Sequence, residues 1–408
     1  MTAAMLLVFA VSLGLCLYVY FGYPALLFVL SRLRPRPVAR AAVHPRVTLV
    51  VPVHNEEPVI EAKIRNCLDL RYPADRLEVL IVSDGSTDRT DEIAASYAGG
   101  PVRLVRRPRE GKAAALNEAA ALASGEILVF TDANSRLEPA ALACLVQGFA
   151  DPTVGGVCGN KELRPRTGAD ATQGGEGLYW RYDKWQKRLE SEIGSIFAAD
   201  GTLYAVRRGC FVPIGDRAQA DDIAVSKRVV LQGYRLLFEP AAVAWEEAPA
   251  EGHAEFQRKV RVTNHSVRAL LALGQRLWSS GFYSVELVSH KLLRHLVPFF
   301  LIALLAANAA LAAGNPLFRM LLAGQLLFYA AAITGVLLRR TRAGRSKALT
   351  VPYYFCLVNA AAFLGVLSIA RGHRLAAWTP RSGLTSSPAR WPVSASRSGI
   401  EDAPGTRH

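Results

Sequence analysis

A charge-free run of apolar residues from about 3 to 30 places the first limit on this chain. As a helix it would span roughly 40 Å at 1.5 Å rise per residue, enough to cross a bilayer. A secretory signal would hold an apolar stretch of only about 7–15 residues followed by small residues at a cleavage site. This run is about twice that length and ends in prolines and arginines, which predicts an uncleaved anchor over 1–31. Three further spans follow, at about 292–313, 317–338 and 351–370, within a membrane region 291–371. The 408-residue chain thus divides by composition. Residues 46–262 read as one soluble α/β domain, 263–290 as an amphipathic interface segment and 372–408 as a basic, disordered tail.

The formal net charge of +14 could signal nucleic acid, but its distribution argues otherwise. Arg32, Arg34, Arg36, Arg40 and Arg46 follow the first span; Arg339, Arg340, Arg342, Arg345 and Lys347 follow the third. Clusters flanking apolar spans obey the positive-inside rule and favour anionic lipid headgroups. No basic stripe interleaved with aromatics offers base stacking, so no nucleic-acid partner is expected. Both clusters are satisfied if the middle domain is cytoplasmic, at a bacterial inner or plasma membrane. Arg371, Arg374 and Arg381 would then fall outside, so the fourth segment is either re-entrant or followed by a tail that crosses regardless. The 6 cysteines show neither zinc spacing nor a disulfide framework, as suits a reducing compartment.

Within the middle domain strands and helices alternate. Arg46–His54 and Leu77–Ser83 are continuous apolar, β-branched runs of the kind buried on both faces of a sheet. Val102–Val105 and Glu126–Thr131 supply two more strands. Helices are predicted over 58–70, from Ser86-Thr87-Asp88 to about Tyr97, and over 112–123. The pattern predicts a Rossmann-like, mainly parallel α/β sheet, whose ligands bind beyond the carboxyl ends of its strands.

The polar clusters fall at those ends. Asp84 closes the second strand, where a carboxylate can accept a base N–H or hydrogen-bond ribose and Gly85 lets backbone approach a ligand. Thr87 and Asp88 fit a helix cap equally well. Asp132 and Asn134 stand two apart at the end of the fourth strand, so their oxygens point the same way and can hold Mg²⁺ or Mn²⁺ with a diphosphate. The bland alternative is a polar turn. Lys112 opens a helix after Arg106–Gly111, either as an anion site or as part of a solvated basic loop. Asp221 and Asp222 precede a helical run; they complement its dipole, or Asp222 is a general base that deprotonates an acceptor hydroxyl. Tyr179, Trp180, Tyr182 and Trp185 can stack on sugars but more often form core or interface belts.

In this order the clusters resemble the family 2 glycosyltransferases of GT-A fold, in particular the membrane-integrated branch with cellulose, hyaluronan and poly-N-acetylglucosamine synthases. Val47–Glu57, Ser83–Asp88, Gly111–Asn117, Asp132–Asn134, Gly201–Arg208 and Asp221-Asp222 carry the resemblance. It implies that Pro52, Asn55, Glu57, Asp84, Lys112 and Asp132 hold the donor nucleotide, with Asp132 and Asn134 on a divalent metal. It further implies that Gly201, Thr202, Asp221, Arg258 and Arg261 serve the acceptor and the diphosphate, and that Asp222 is the base. Asn134 replaces the second carboxylate of the DxD pattern, and Val262 stands where the family's QxxRW motif has tryptophan.

The resemblance implies an inverting transfer from a nucleotide-sugar, in first place a UDP-sugar, to a hydroxyl of a lipid-linked or saccharide acceptor in surface or exopolysaccharide synthesis. A processive polysaccharide synthase is the second reading. A polyprenol-phosphate acceptor needs no base, so Asp222 speaks against it. A non-catalytic nucleotide-sugar sensor or scaffold is the reading from another class.

Overall fold

The computed structural model describes residues 2–164, 172–215, 221–247, 252–275, 278, 281–339 and 341–373. Arg340, Arg374, Arg381 and the tail from 374 onward lie outside them. Eight strands form one sheet: β1 (Val47–Val53), β2 (Leu77–Asp84), β3 (Val102–Arg107), β4 (Ile127–Thr131), β5 (Arg136–Leu137), β6 (Val154–Arg164), β7 (Leu203–Arg207) and β8 (Arg235–Glu247). Their order is β3-β2-β1-β4-β7-β6-β8-β5. The four strands legible as apolar runs make the parallel half, β3-β2-β1-β4. Beyond β4 the sheet turns mixed: β7 is antiparallel to both β4 and β6, β8 is parallel to β6, and β5 is antiparallel to β8.

Alternation along β1 explains its unbroken apolar run. Leu49, Val51 and Val53 enter the core on one face of the sheet. Val50 enters the core on the other, with Leu80, Val82, Leu128 and Phe130. A strand covered on both sides has no polar face to show. Pairing of β1 with β4 ends at Val50↔Phe130. Pro52, which has no N–H to give, therefore sits past the end of that ladder while keeping its place beside Val82 of β2.

Among the described residues four helices are long and apolar enough to cross a membrane: Thr2–Leu33, Phe282–Ala312, Pro316–Leu337 and Lys347–Ala370. The second begins ten residues before the span read from the sequence, because Glu286, His290 and Lys291 continue the helix while interrupting its hydropathy. The amphipathic segment also starts earlier, as the helix Gly252–Leu271. It crosses Lys347–Ala370 closely: a Cβ on Gly365 would stand 2.6 Å from Thr263 Cβ and 2.9 Å from the Val260 carbonyl. Asn264 Nδ2 donates to Ser368 Oγ at 2.7 Å across the same crossing.

Candidate active site

The carboxyl ends of β1 and β2 are stitched together by side chains that accept backbone N–H groups. Asn55, at φ 53°, accepts from the N–H of Thr87 at 2.7 Å. Glu57 Oε2 accepts from the N–H of Arg89 at 3.2 Å, and the Glu57 N–H donates to Asp88 at 3.1 Å. Asp88 also accepts from the N–H of Thr90, the first residue of the following helix, at 3.0 Å, although the N-cap position itself is Arg89. Asp84 is fully buried. Its two oxygens accept from the N–H groups of Glu110 at 2.9 Å and Gly111 at 2.8 Å, and from Arg109 at 3.1 Å. This carboxylate thus has its partners within the chain and fixes the loop that leads into the helix Lys112–Leu122. Gly85, at φ 66°, admits that loop: a Cβ there would stand 2.8 Å from the Arg109 nitrogen.

A second group converges beside it. Lys112 Nζ donates to Asp132 Oδ1 at 2.8 Å and lies 3.1 Å from Asp221 Oδ2. A Cβ on Gly201 would stand 3.7 Å from Lys112 Nζ and 3.8 Å from both Asp132 Oδ2 and Asp222 Oδ2. The Gly201 N–H donates to Asp222 Oδ2 at 3.2 Å, while Asp222 Oδ1 accepts from the Ile223 N–H at 2.8 Å. Residues from three chain segments, 112, 132 and 221–222, thus surround one glycine. Any side chain at 201 would fill the space between them.

The electrostatics of this group are uneven. Burial opposes the charge on Lys112, but Asp132 and Asp221 outweigh it and hold the ammonium well above the usual lysine range. Asp222 keeps some contact with solvent, yet the protein strips away much of its water, and the charges of Asp221 and Asp200 add repulsion. Its carboxyl is raised to about 7. A carboxylate poised there can take a proton near neutral pH.

Several contributors were not singled out in the sequence. Lys63, 2% exposed, donates to Thr131 Oγ1 at 2.9 Å and to the Ser135 carbonyl at 2.9 Å, so it ties down the turn that carries Asp132 and Asn134. Burial pushes Lys63 down to about 8. Its signal was its place among Ile60, Ile64 and Cys67 on the buried face of one helix. Asp200 accepts from Thr202 Oγ1 at 2.6 Å and from the Thr202 N–H at 3.0 Å. Lys161 faces Asp200 at 3.9 Å and pairs with Glu246. Tyr204 stacks on Phe130 with centroids 4.9 Å apart, its hydroxyl buried.

Arg258 and Arg261 lie on the helix Gly252–Leu271. Arg258 is held by Glu255 through two bonds of 2.7 and 2.9 Å, and it also acts electrostatically on Lys161. Tyr179 carries Lys259 Nζ 4.1 Å from its ring centroid and Arg294 Cζ at 4.7 Å, and it packs edge-on against Trp180 and Tyr354, so it stands among cations and aromatics together.

Among the described residues no three His, Cys, Asp or Glu side chains gather as a preformed ion cage. Asp132 and Asn134 offer hard oxygens instead. That donor set fits a divalent cation whose shell is completed by phosphate oxygens and water.

The carboxylates and the lysine lie beyond the carboxyl ends of strands in an open α/β sheet, where such folds place their ligands. Residues 48–211 match the family described as Glycosyl transferase family 2. The chain is 32% identical over 241 residues to "Probable glycosyltransferase YdaM" of Bacillus subtilis, covering 53% of this chain and 54% of that protein. It is 28% identical over 222 residues to the poly-beta-1,6-N-acetyl-D-glucosamine synthase of Staphylococcus aureus, covering 53% of each. The chain thus spans about half the length of the curated relatives it matches. Among solved structures it resembles a mannosyltransferase from Pyrobaculum calidifontis in complex with GDP-Man and Mn²⁺, with a TM-score of 0.66 and 27% identity over 88% of this chain and 98% of that one.

Proposed function

We propose that the protein is a membrane-embedded, inverting glycosyltransferase that moves a sugar from a nucleoside-diphosphate sugar to an acceptor hydroxyl. The observation that carries this reading is the meeting of Lys112, Asp132 and Asp222 around Gly201. It supports one space in which a diphosphate lies against the lysine while an acceptor lies against the base.

In this reading the loops holding Pro52, Asn55, Glu57 and Asp84 form the floor for the nucleotide. Asp84 acts there through the 109–111 loop that it fixes. Asp132 and Asn134 would hold a divalent ion, which would supply positive charge to the diphosphate. Mn²⁺ in the Pyrobaculum structure supports a divalent ion of this kind; Mg²⁺ suits the same oxygens. Lys112 supplies a fixed positive charge to the leaving diphosphate. Asp222 accepts the acceptor's hydroxyl proton as the oxygen forms its bond to the anomeric carbon. The bond from that carbon to the diphosphate breaks on the opposite side, which inverts configuration. Gly201 leaves room for the acceptor, Thr202 is fixed by Asp200, and Asp221 balances Lys112. Arg258, which acts on Lys161, is assigned to the acceptor and diphosphate, and Arg261 is assigned to them by the resemblance alone.

The basic clusters after the first and third spans support a cytoplasmic catalytic domain. Polymer synthesis is the second reading, favoured by the similarity to the Staphylococcus aureus synthase. Against it, Val262 stands 40% exposed and lines an apolar cavity, where a tryptophan would be needed to stack on a terminal sugar. The deciding experiment is a panel of radiolabelled UDP- and GDP-sugars given to purified protein, with products sized. Turnover of one donor with single or few additions supports the reading. Absence of any donor turnover overturns it in favour of a sensor or scaffold.

A further inference from the structure

A cavity of about 860 Å³ opens between the apolar helices, within the roughly 300–1,000 Å³ range of small-molecule sites. Its walls are apolar along most of their length, with Phe9, Leu13, Leu301, Leu304 and Phe328. One end differs: Lys259, Lys291, Arg294 and His295 line it. Lys259 pairs with Glu255 at 3.6 Å, but Glu255 is shared with Arg258. Arg294 lies 3.9 Å from Asp183, which is shared with Lys187 at 3.2 Å. Lys291 rests over the Phe197 ring at 4.3 Å and has no carboxylate at ion-pair distance among the described residues. Positive charge therefore exceeds negative charge at the mouth of an apolar chamber. Such an excess is costly within a bilayer unless an anion meets it.

A relay of side chains joins this end to the candidate active site. Lys259 Nζ lies 5.6 Å from the Trp180 ring centroid, and Lys161 Nζ lies 5.4 Å from the same ring. Lys161 in turn faces Asp200, which immediately precedes Gly201. Trp180, Lys161 and Asp200 thus link the cationic end to Gly201, whose N–H donates to Asp222.

We propose that the cavity seats the acceptor, an amphiphile with a phosphate between its apolar chain and a hydroxyl-bearing headgroup. The chain lies between the helices, the phosphate sits on Lys259, Lys291 and Arg294, and a headgroup hydroxyl reaches Asp222. The inference rests on the transferase reading and names its acceptor class. The headgroup O–H gives its proton to Asp222, its oxygen bonds the anomeric carbon, and the electron pair of the broken C–O bond leaves with the nucleoside diphosphate. The lipid phosphate is bound and unchanged, so a base is still required.

The test uses the full chain in phosphatidylcholine nanodiscs. Binding of radiolabelled phosphatidylglycerol and of a polyprenyl-diphosphate-linked N-acetylglucosamine is compared with binding of diacylglycerol and inorganic phosphate. Saturable binding of either phosphate lipid, at least tenfold tighter than both controls, supports the proposal and identifies the source. That binding should fall about tenfold in Lys291→Ala/Arg294→Ala and persist in Lys291→Arg/Arg294→Lys. Leu304→Trp, which narrows the apolar wall and leaves the cations in place, should weaken it too and keeps the test decisive if the double alanine variant fails to fold. Equal binding of diacylglycerol, competition by inorganic phosphate at lipid-like concentrations, or indifference to all three variants overturns it. Donor binding measured on the same wild-type preparation separates the two failures. Lipid bound without donor defeats the transferase reading, and donor bound without lipid defeats the cavity.

Discussion

The two halves of the candidate site are held by different physics. At the ends of β1 and β2, the carboxylates of Glu57, Asp84 and Asp88 accept backbone N–H groups, and Asp84 is satisfied on both oxygens. At the start of the helix Asp221–Leu231, charge is balanced against charge: Lys112 stands between Asp132 and Asp221, and Asp222 is left crowded by Asp221 and Asp200. The first arrangement makes a rigid platform, since each bond ties a side chain to a fixed peptide. The second makes a reactive one, since a carboxylate surrounded by like charge is the group most ready to hold a proton. In the proposed reading, positioning and chemistry are thereby separated between the two halves.

The largest expected effect comes from removing the reactive half. Asp222→Asn keeps the shape and loses the base, so kcat should fall by about 10²–10⁴-fold with donor affinity nearly unchanged. Single-turnover kinetics and equilibrium nucleotide binding check both parts; near-normal turnover would remove Asp222 from its role. Next comes Lys112→Ala, which withdraws a charge-assisted bond of about 1.5–3 kcal/mol from Asp132 and from the diphosphate. Donor affinity should drop roughly 10–150-fold. Calorimetry with nucleoside diphosphate and excess Mn²⁺ reads this directly, and an unaltered affinity would place the diphosphate elsewhere.

The contrast also sorts what was readable in the sequence. The parallel half of the sheet was legible because strands buried on both faces leave unbroken apolar runs, as in Val47–Val53 and Leu77–Ser83. The return strands β6 and β8 were not, since β6 begins with glycines and β8 carries Glu239 and Pro240 mid-strand. Asp132 stood out because a carboxylate after an apolar run is conspicuous, and Asp222 because two adjacent acids precede a helical run. Lys63, Lys161 and Glu246 did not, because their partners are distant in sequence and each looks like an ordinary surface charge until the fold buries it. Asp84 was conspicuous for the right reason, a buried carboxylate in need of a partner. That its immediate partners are Arg109, Glu110 and Gly111 follows from the meeting of two loops, which no local pattern announces.

Breaking the platform half should cost stability before chemistry. Asp84→Ala leaves the N–H groups of Glu110 and Gly111 without their acceptor in a part-buried setting, at up to about 1–3 kcal/mol each if no water replaces the carboxylate. The expected result is a lower melting temperature and weaker donor binding, with kcat at saturating donor changed far less than in Asp222→Asn. A fall in kcat as large as that of Asp222→Asn, with melting unchanged, would mean that Asp84 acts on the reacting atoms and that the division between the two halves is wrong.

The smallest effect is the most diagnostic. Burial and the charges of Asp221 and Asp200 raise Asp222 to about 7, well above the ordinary carboxylate value near 3.9. As a base it must be deprotonated, so kcat/KM should climb with pH and level off above about 7. Asp221→Asn removes one repelling charge and frees Lys112 from one partner; both changes favour the Asp222 anion. The acid limb should therefore move to lower pH, by less than the full difference because Asp200 and burial remain. Stability must move in step. A carboxyl raised on folding binds more protons folded than unfolded between about 4 and 7, so its contribution is present below that window and is lost as pH rises through it. Melting temperatures across pH 5 to 8 should fall less steeply in Asp221→Asn than in the wild type. An acid limb that stays in place while the melting profile flattens would assign that limb to a different group and leave Asp222 as a structural carboxyl.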